Sequence, residues 1–153
     1  MEIATNIFEL LAAIALGLMA GALAAEGSIL VPFWRSLSPE AFLIWYKRHA
    51  ILLLWFFGPL EVGAVLLSIV AAALGWIGDT SGRQLFTASA VLGVVLLALF
   101  PFYFQRVNAS FTAGTIPLID VPEELQRWSN WHWIRTLIAA VAFVTAVIAL
   151  RAK

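Results

Sequence analysis

Cysteine is absent from this chain of 153 residues, charge is scarce, and histidine occurs only twice. Without cysteine there are no disulfides, thiolate metal sites, iron–sulfur clusters or thiol nucleophiles, although the redox state of the compartment stays open. Charged residues make up 12% of the chain, against about 25% in soluble domains, which excludes an ordinary soluble globule. The formal net charge is zero and no basic tract occurs, which argues against a nucleic-acid partner or a polybasic lipid anchor. What fills the chain instead is apolar: 63% hydrophobic residues and a mean hydropathy of +0.97.

The apolar residues fall into four long runs, Ile7 to Phe33, Ala50 to Trp76, Leu85 to Phe104 and Trp133 to Leu150. A bilayer core needs roughly 20 apolar residues per helix, and in hydrocarbon only a helix or a closed barrel satisfies its own backbone. The expectation is an all-α integral membrane four-helix bundle, one domain over residues 1–153. The N-terminus does not read as a cleaved signal, because Met1 to Glu9 carries two acids and no base. The first run is therefore expected to be a retained span.

Local signals refine this outline. Gly17 and Gly21 form a GxxxG pattern on the first span, a face expected to approach another helix closely. Ser38-Pro39-Glu40 reads as a helix start, with Ser38 as N-cap and Pro39 at N1, so a short interfacial helix is expected before span two. Gly58-Pro59 predicts a kink in that span, beside Glu61. Residues Val107 to His132, with Pro117 and Pro122, read as one long loop between spans three and four, and Phe100-Pro101-Phe102-Tyr103-Phe104 as an aromatic interface belt. Basic residues number six on the long-loop face (Arg35, Lys47, Arg48, Arg106, Arg127, Arg135) and three on the other (Arg83, Arg151, Lys153). The positive-inside rule then puts the long-loop face in the cytoplasm and both termini outside.

Helices of alternating direction bring one polar set to a common depth: Glu26, Arg48, His49, Gln105, Arg106, Asn108, His132 and Arg135. Ionisable groups in a membrane are costly and default to functional hypotheses. Trp128, His132 and Arg135 recur at i, i+4 and i+7, one face of a helix. An imidazole can exchange a proton and a guanidinium can hold an oxyanion, so His132 and Arg135 with Glu26 and Asn108 form a candidate catalytic set. Glu26 is expected to pair with Arg135 or Arg48, and Asn108 either positions a ligand oxygen or caps a turn. Trp128, Trp131, Arg48 and Glu61 are candidate ligand-binding residues, with Glu61 equally readable as a staple between helices. No cofactor is expected. A single metal ion on His49, His132 and Glu26 is the weaker alternative, since no local ligand spacing supports it, and a haem between the two histidines is weaker still. Transport through Glu61 and Glu26 would require oligomerisation.

These residues carry a resemblance. Ala15-Leu16-Gly17-Leu18-Met19-Ala20-Gly21 with Glu26 and Pro32, then Trp45-Tyr46-Lys47-Arg48, Asn108, and above all Trp128-x-x-x-His132-x-x-Arg135-Thr136, make the chain similar to the anthrone oxygenase-like family of small four-helix membrane proteins. The likeness covers nearly the full length; Ala109-Ser110-Phe111-Thr112 departs from it, lacking the proline and second asparagine of many relatives. What it implies is oxidation of polycyclic phenols by molecular oxygen, with Glu26, Asn108, His132 and Arg135 at the matching polar positions. The expected partners are the lipid bilayer and a flat hydrophobic small molecule. The alternative is a non-catalytic subunit bound to a second copy or to a larger membrane assembly.

Overall fold

Helix is the state that hydrocarbon demands of an apolar backbone, and the computed structural model, which describes residues 2–152, is helical almost throughout. Helix α1 (Glu2–Ala25) passes through a π-helical turn (Glu26–Leu30) into α2 (Val31–Ser36). Helix α3 (Pro39–Ile77) follows, then α4 (Arg83–Leu99), a second π-helical turn (Phe100–Phe104), α5 (Gln105–Ala113) and α6 (Val121–Arg151). They form four helices long and apolar enough to cross a membrane: Glu2–Ser36, Pro39–Ile77, Arg83–Ala113 and Val121–Arg151. Each packs along the next and the last packs on the first, so the architecture is that of a multi-pass four-helix bundle.

The helices extend well beyond the apolar runs. The start at Ser38 and Pro39 is where the sequence places it, with the Ser38 hydroxyl accepting from the Ala41 N–H at 3.3 Å. The helix it opens is continuous with span two, however, rather than a separate interfacial piece. It also runs unbroken through Pro59, which leaves the Trp55 carbonyl without its usual donor. The expected long loop is likewise mostly helix. Helix α5 prolongs span three until Gly114 takes a left-handed conformation (φ 65°) and closes it with hydrogen bonds to Phe111 and Ser110. Pro122 then opens α6, so only residues 114–120 connect the two. Polarity misleads here because the outer helical turns lie beyond the hydrocarbon and need no apolar surface on every side.

Both π-helical turns neighbour a proline. Pro101 has no N–H for the Leu97 carbonyl, which takes the Phe100 N–H instead, and the Gln105 N–H then reaches back to Phe100. In the first turn the Val31 N–H reaches Glu26, just before Pro32. Each wide turn shifts the angular register of the residues after it.

The interior has two storeys. Toward the chain ends it is built of small residues, Ala12, Ala13, Ala71, Ala139, Ala142, Ala146 and Ala149 among them, closed by Leu16, Phe86 and Leu96. Small side chains let backbones approach, the main source of helix association in lipid. Gly17 takes part, since a Cβ there would meet the Phe143 ring at 2.9 Å, whereas Gly21 is exposed with open space beside it. The GxxxG pair therefore does not act as a unit within the bundle. At the other end the core is aromatic: Trp34, Phe42, Tyr46, Phe104, Phe111 and Trp128. Glu26, Glu61, His132 and Arg135 lie where the storeys meet, while Glu9 is buried in the small-residue storey.

Candidate functional site

Arg135 is the centre of the site. It lies two turns beyond Trp128 on α6, is 5% exposed, and reaches two carboxylates on different spans. Its Nη2 donates to Glu26 Oε2 at 3.3 Å, while Nη1 lies 3.4 Å from Glu61 Oε1 on α3. Its guanidinium carbon sits 4.5 Å from the centre of the Phe104 ring, a cation–π contact that replaces part of the lost hydration. One guanidinium thus ties spans one, two and four together against a ring from span three. Glu26 and Glu61 are 6% and 5% exposed, so the pairing matters: a buried charge without a partner is strongly unfavourable.

His132, fully buried, stands behind Arg135. Its Nε2 lies 2.9 Å from the Leu23 carbonyl, which can only accept, so the proton belongs on Nε2. Nδ1 is then an acceptor and takes an Arg135 Nη2 hydrogen at 3.3 Å; Glu26 Oε2 is 3.6 Å away. The ring is sandwiched flat against Trp128, with centroids 5.0 Å apart and planes at 7°. Gly27 permits this closeness, because a Cβ there would come within 3.1 Å of the imidazole and 3.0 Å of Trp133. Gly27→Val is therefore expected to displace His132 from Arg135 and to lower stability by about 1–3 kcal/mol. Denaturation in detergent checks this; a Gly27→Val protein as stable as the wild type would remove the argument.

Asn108 is fixed from the same side. The Trp128 indole can only donate, and its Nε1 lies 2.9 Å from Asn108 Oδ1. The amide oxygen is thus committed to Trp128, and the NH2 group has no acceptor among the described residues.

A cavity of about 690 Å³ opens in front of these groups, lined by Glu26, Tyr46, Glu61, Asn108, Trp128 and Arg135 on its polar side. Ala50, Leu53, Leu54, Phe57, Leu97 and Phe100 form its apolar walls. Ile51, Leu54 and Val62 at its edge are exposed on the outer surface of span two, so the cavity opens sideways toward lipid between spans two and three. Its volume lies within the usual range for small-molecule sites.

The chain matches no known family model, no curated protein and no solved structure.

The expected polar set is brought together only in part. Glu26, Glu61, Asn108, Trp128 and Arg135 line the cavity, with His132 directly behind them. Arg48, Gln105 and Arg106 are exposed instead, so Glu26 pairs with Arg135 rather than Arg48. Trp131 does not line the cavity; it stacks on Tyr103 at 5.6 Å. His49 stacks on Trp45 at 4.2 Å and donates from Nδ1 to the Trp45 carbonyl at 2.7 Å, away from the Glu26–His132 pair. Among the described residues no three of histidine, aspartate or glutamate are grouped as a metal site requires, so the His49, His132 and Glu26 triad does not assemble. Depth along a helix says nothing about direction around it, and each wide turn alters that direction.

Sequence reasoning missed Phe104 as the platform for Arg135 and the Leu23 carbonyl as the anchor of His132. Phe104 looked like one more interfacial aromatic, and a backbone carbonyl leaves no compositional signal.

Proposed function

We propose that this protein is a membrane-embedded oxygenase-like enzyme acting on a flat, hydrophobic phenolic substrate that enters from the bilayer. The observation that carries the reading is the lateral cavity, whose apolar walls end at one buried guanidinium and two carboxylates. The resemblance of Trp128-x-x-x-His132-x-x-Arg135 to the anthrone oxygenase-like family supports it. The apolar walls hold the ring system, and Arg135 receives the oxygen that gains charge when a proton is lost.

In this reading Glu61 is the base. Among the described residues its ionic contact is with Arg135 Nη1 alone, without a hydrogen bond, whereas Glu26 Oε2 accepts a hydrogen bond from Arg135 Nη2. Glu61 takes a proton from the activated ring carbon, the enolate is held by Arg135, and oxygen adds to that carbon. Overall a CH2 group and O2 give a ketone and water, with one oxygen atom in each product. His132, tied to Leu23 and Arg135, holds the guanidinium in place rather than removing the proton. The exposed basic residues Arg35, Lys47, Arg48 and Arg106 favour a cytoplasmic position for the face bearing the α5–α6 connection, with both termini outside.

The test is oxygen uptake by purified protein in nanodiscs supplied with anthrone. One O2 consumed per anthrone, above the rate of empty nanodiscs, with the quinone formed in parallel, is the expected result. Uptake no faster than in empty nanodiscs would overturn the assignment of this reaction.

A further inference from the structure

The cavity is longer than a compact ring system needs. Its α3 wall is one helix face, Lys47, Ala50, Leu54, Gly58 and Glu61, at spacings of three and four. At 1.5 Å per residue, Lys47 to Glu61 covers about 21 Å, roughly two-thirds of a 30 Å hydrocarbon core. On the scale of a benzene-sized cavity of about 150 Å³, three fused rings would take roughly half of the 690 Å³. The other half needs an occupant.

Polar groups mark two levels of this slot. The deep level is Arg135 with Glu26 and Glu61, and the Arg135 Nε is buried without a hydrogen-bond partner among the described residues. The shallow level is Lys47, exposed at the outer end of α3, with Asn108 and Thr112 on α5. The two helices meet here because Phe111 packs on Phe42 and Tyr46, with centroids 5.1 and 5.4 Å apart. Trp128, bonded to Asn108, lies about 10 Å above Arg135 along α6. Between the levels the outer wall is apolar, formed by Leu53, Leu54, Phe57 and Phe100.

We propose that the cavity takes an elongated amphiphile with an oxygen-bearing flat ring at Arg135, an apolar chain along α3, and a carboxylate at Lys47. The inference rests on the reading of this cavity as the substrate site, and it adds a length and an acidic terminus to the substrate. Lys47 then fixes which ring atom arrives beside Glu61, because the chain acts as a spacer between the two polar levels.

The probes are 2-naphthol, 2-naphthol carrying a linear alkanoic-acid chain, and the methyl ester of that acid. Binding is read by tryptophan fluorescence in phosphatidylcholine nanodiscs, with empty nanodiscs correcting for partitioning. The acid is expected to bind about fivefold tighter than its ester, the size of one ion pair at a membrane surface. Lys47→Ala should erase that difference and leave the ester unchanged. Ala50→Leu, filling the shallow half, should weaken both chain-bearing probes about tenfold and spare 2-naphthol. Gly58→Leu is a second block, at a position where an added Cβ meets nothing within 4 Å. Equal binding of acid and ester to the wild type, or chain-bearing probes indifferent to both blocks, would overturn the proposal. Arg135-dependent binding of 2-naphthol with no contribution from the chain would do so while leaving the oxidation reading intact. Chain-dependent, Lys47-dependent binding without oxygen uptake would sustain this proposal and reject that reading.

Discussion

Arg135→Met is expected to destabilise the bundle by about 3–5 kcal/mol, the cost of stranding buried charge when one member of a pair is removed. Methionine keeps much of the apolar stem but leaves Glu26 and Glu61 facing one another across spans one and two with no cation between them. The effect should therefore be reversible by chemistry rather than by shape. Adding Glu26→Gln and Glu61→Gln to the same protein should restore most of the lost stability, because neutral replacement of a buried ion pair is often tolerated. Resistance to denaturation in detergent micelles measures both. A single variant as stable as the wild type, or a triple variant no better than the single, would show that Arg135 does not hold the carboxylates.

The second large effect belongs to Glu61. Glu61→Gln keeps the volume and an oxygen that can accept from Arg135 Nη1, but it cannot take a proton. If Glu61 is the base, substrate-dependent oxygen uptake should fall by about 10²–10⁴-fold, the usual contribution of a positioned proton acceptor. Stability should change little, which separates loss of chemistry from loss of fold. Glu26→Gln is expected to reduce the rate less, because Glu26 positions Arg135 jointly with His132. A Glu61→Gln enzyme of undiminished rate, or a larger loss from Glu26→Gln, would transfer the role to the other carboxylate.

The two variants also show why the site was only half legible beforehand. Glu26, His132 and Arg135 stand out in an apolar chain because each costs free energy to bury, and the i, i+4, i+7 spacing from Trp128 places His132 and Arg135 on one side of α6. Arg48 and His49 have the same chemistry at the same depth, yet Arg48 is exposed and His49 is satisfied by its own helix through Trp45. Nothing in the composition separates the two groups. Their difference is angular, set by how α3 is turned against α5, where Phe42 and Tyr46 take the inward positions.

The amino-acid order alone determined that this chain crosses a membrane four times as helices, because hydrocarbon leaves an apolar backbone no other open form. It also determined where α3 begins, since Ser38 and Pro39 act through their own capping and dihedral preferences, whereas Gly114 stops a helix inside the expected loop. Packing decided the rest. Only packing selected Arg135 as partner of both Glu26 and Glu61, directed His132 onto the Leu23 carbonyl and left an unfilled slot between spans two and three. Those outcomes depend on the rotation of each helix about its axis and on π-helical turns beside Pro32 and Pro101, which join residues more than a hundred positions apart, such as Glu26 and Arg135.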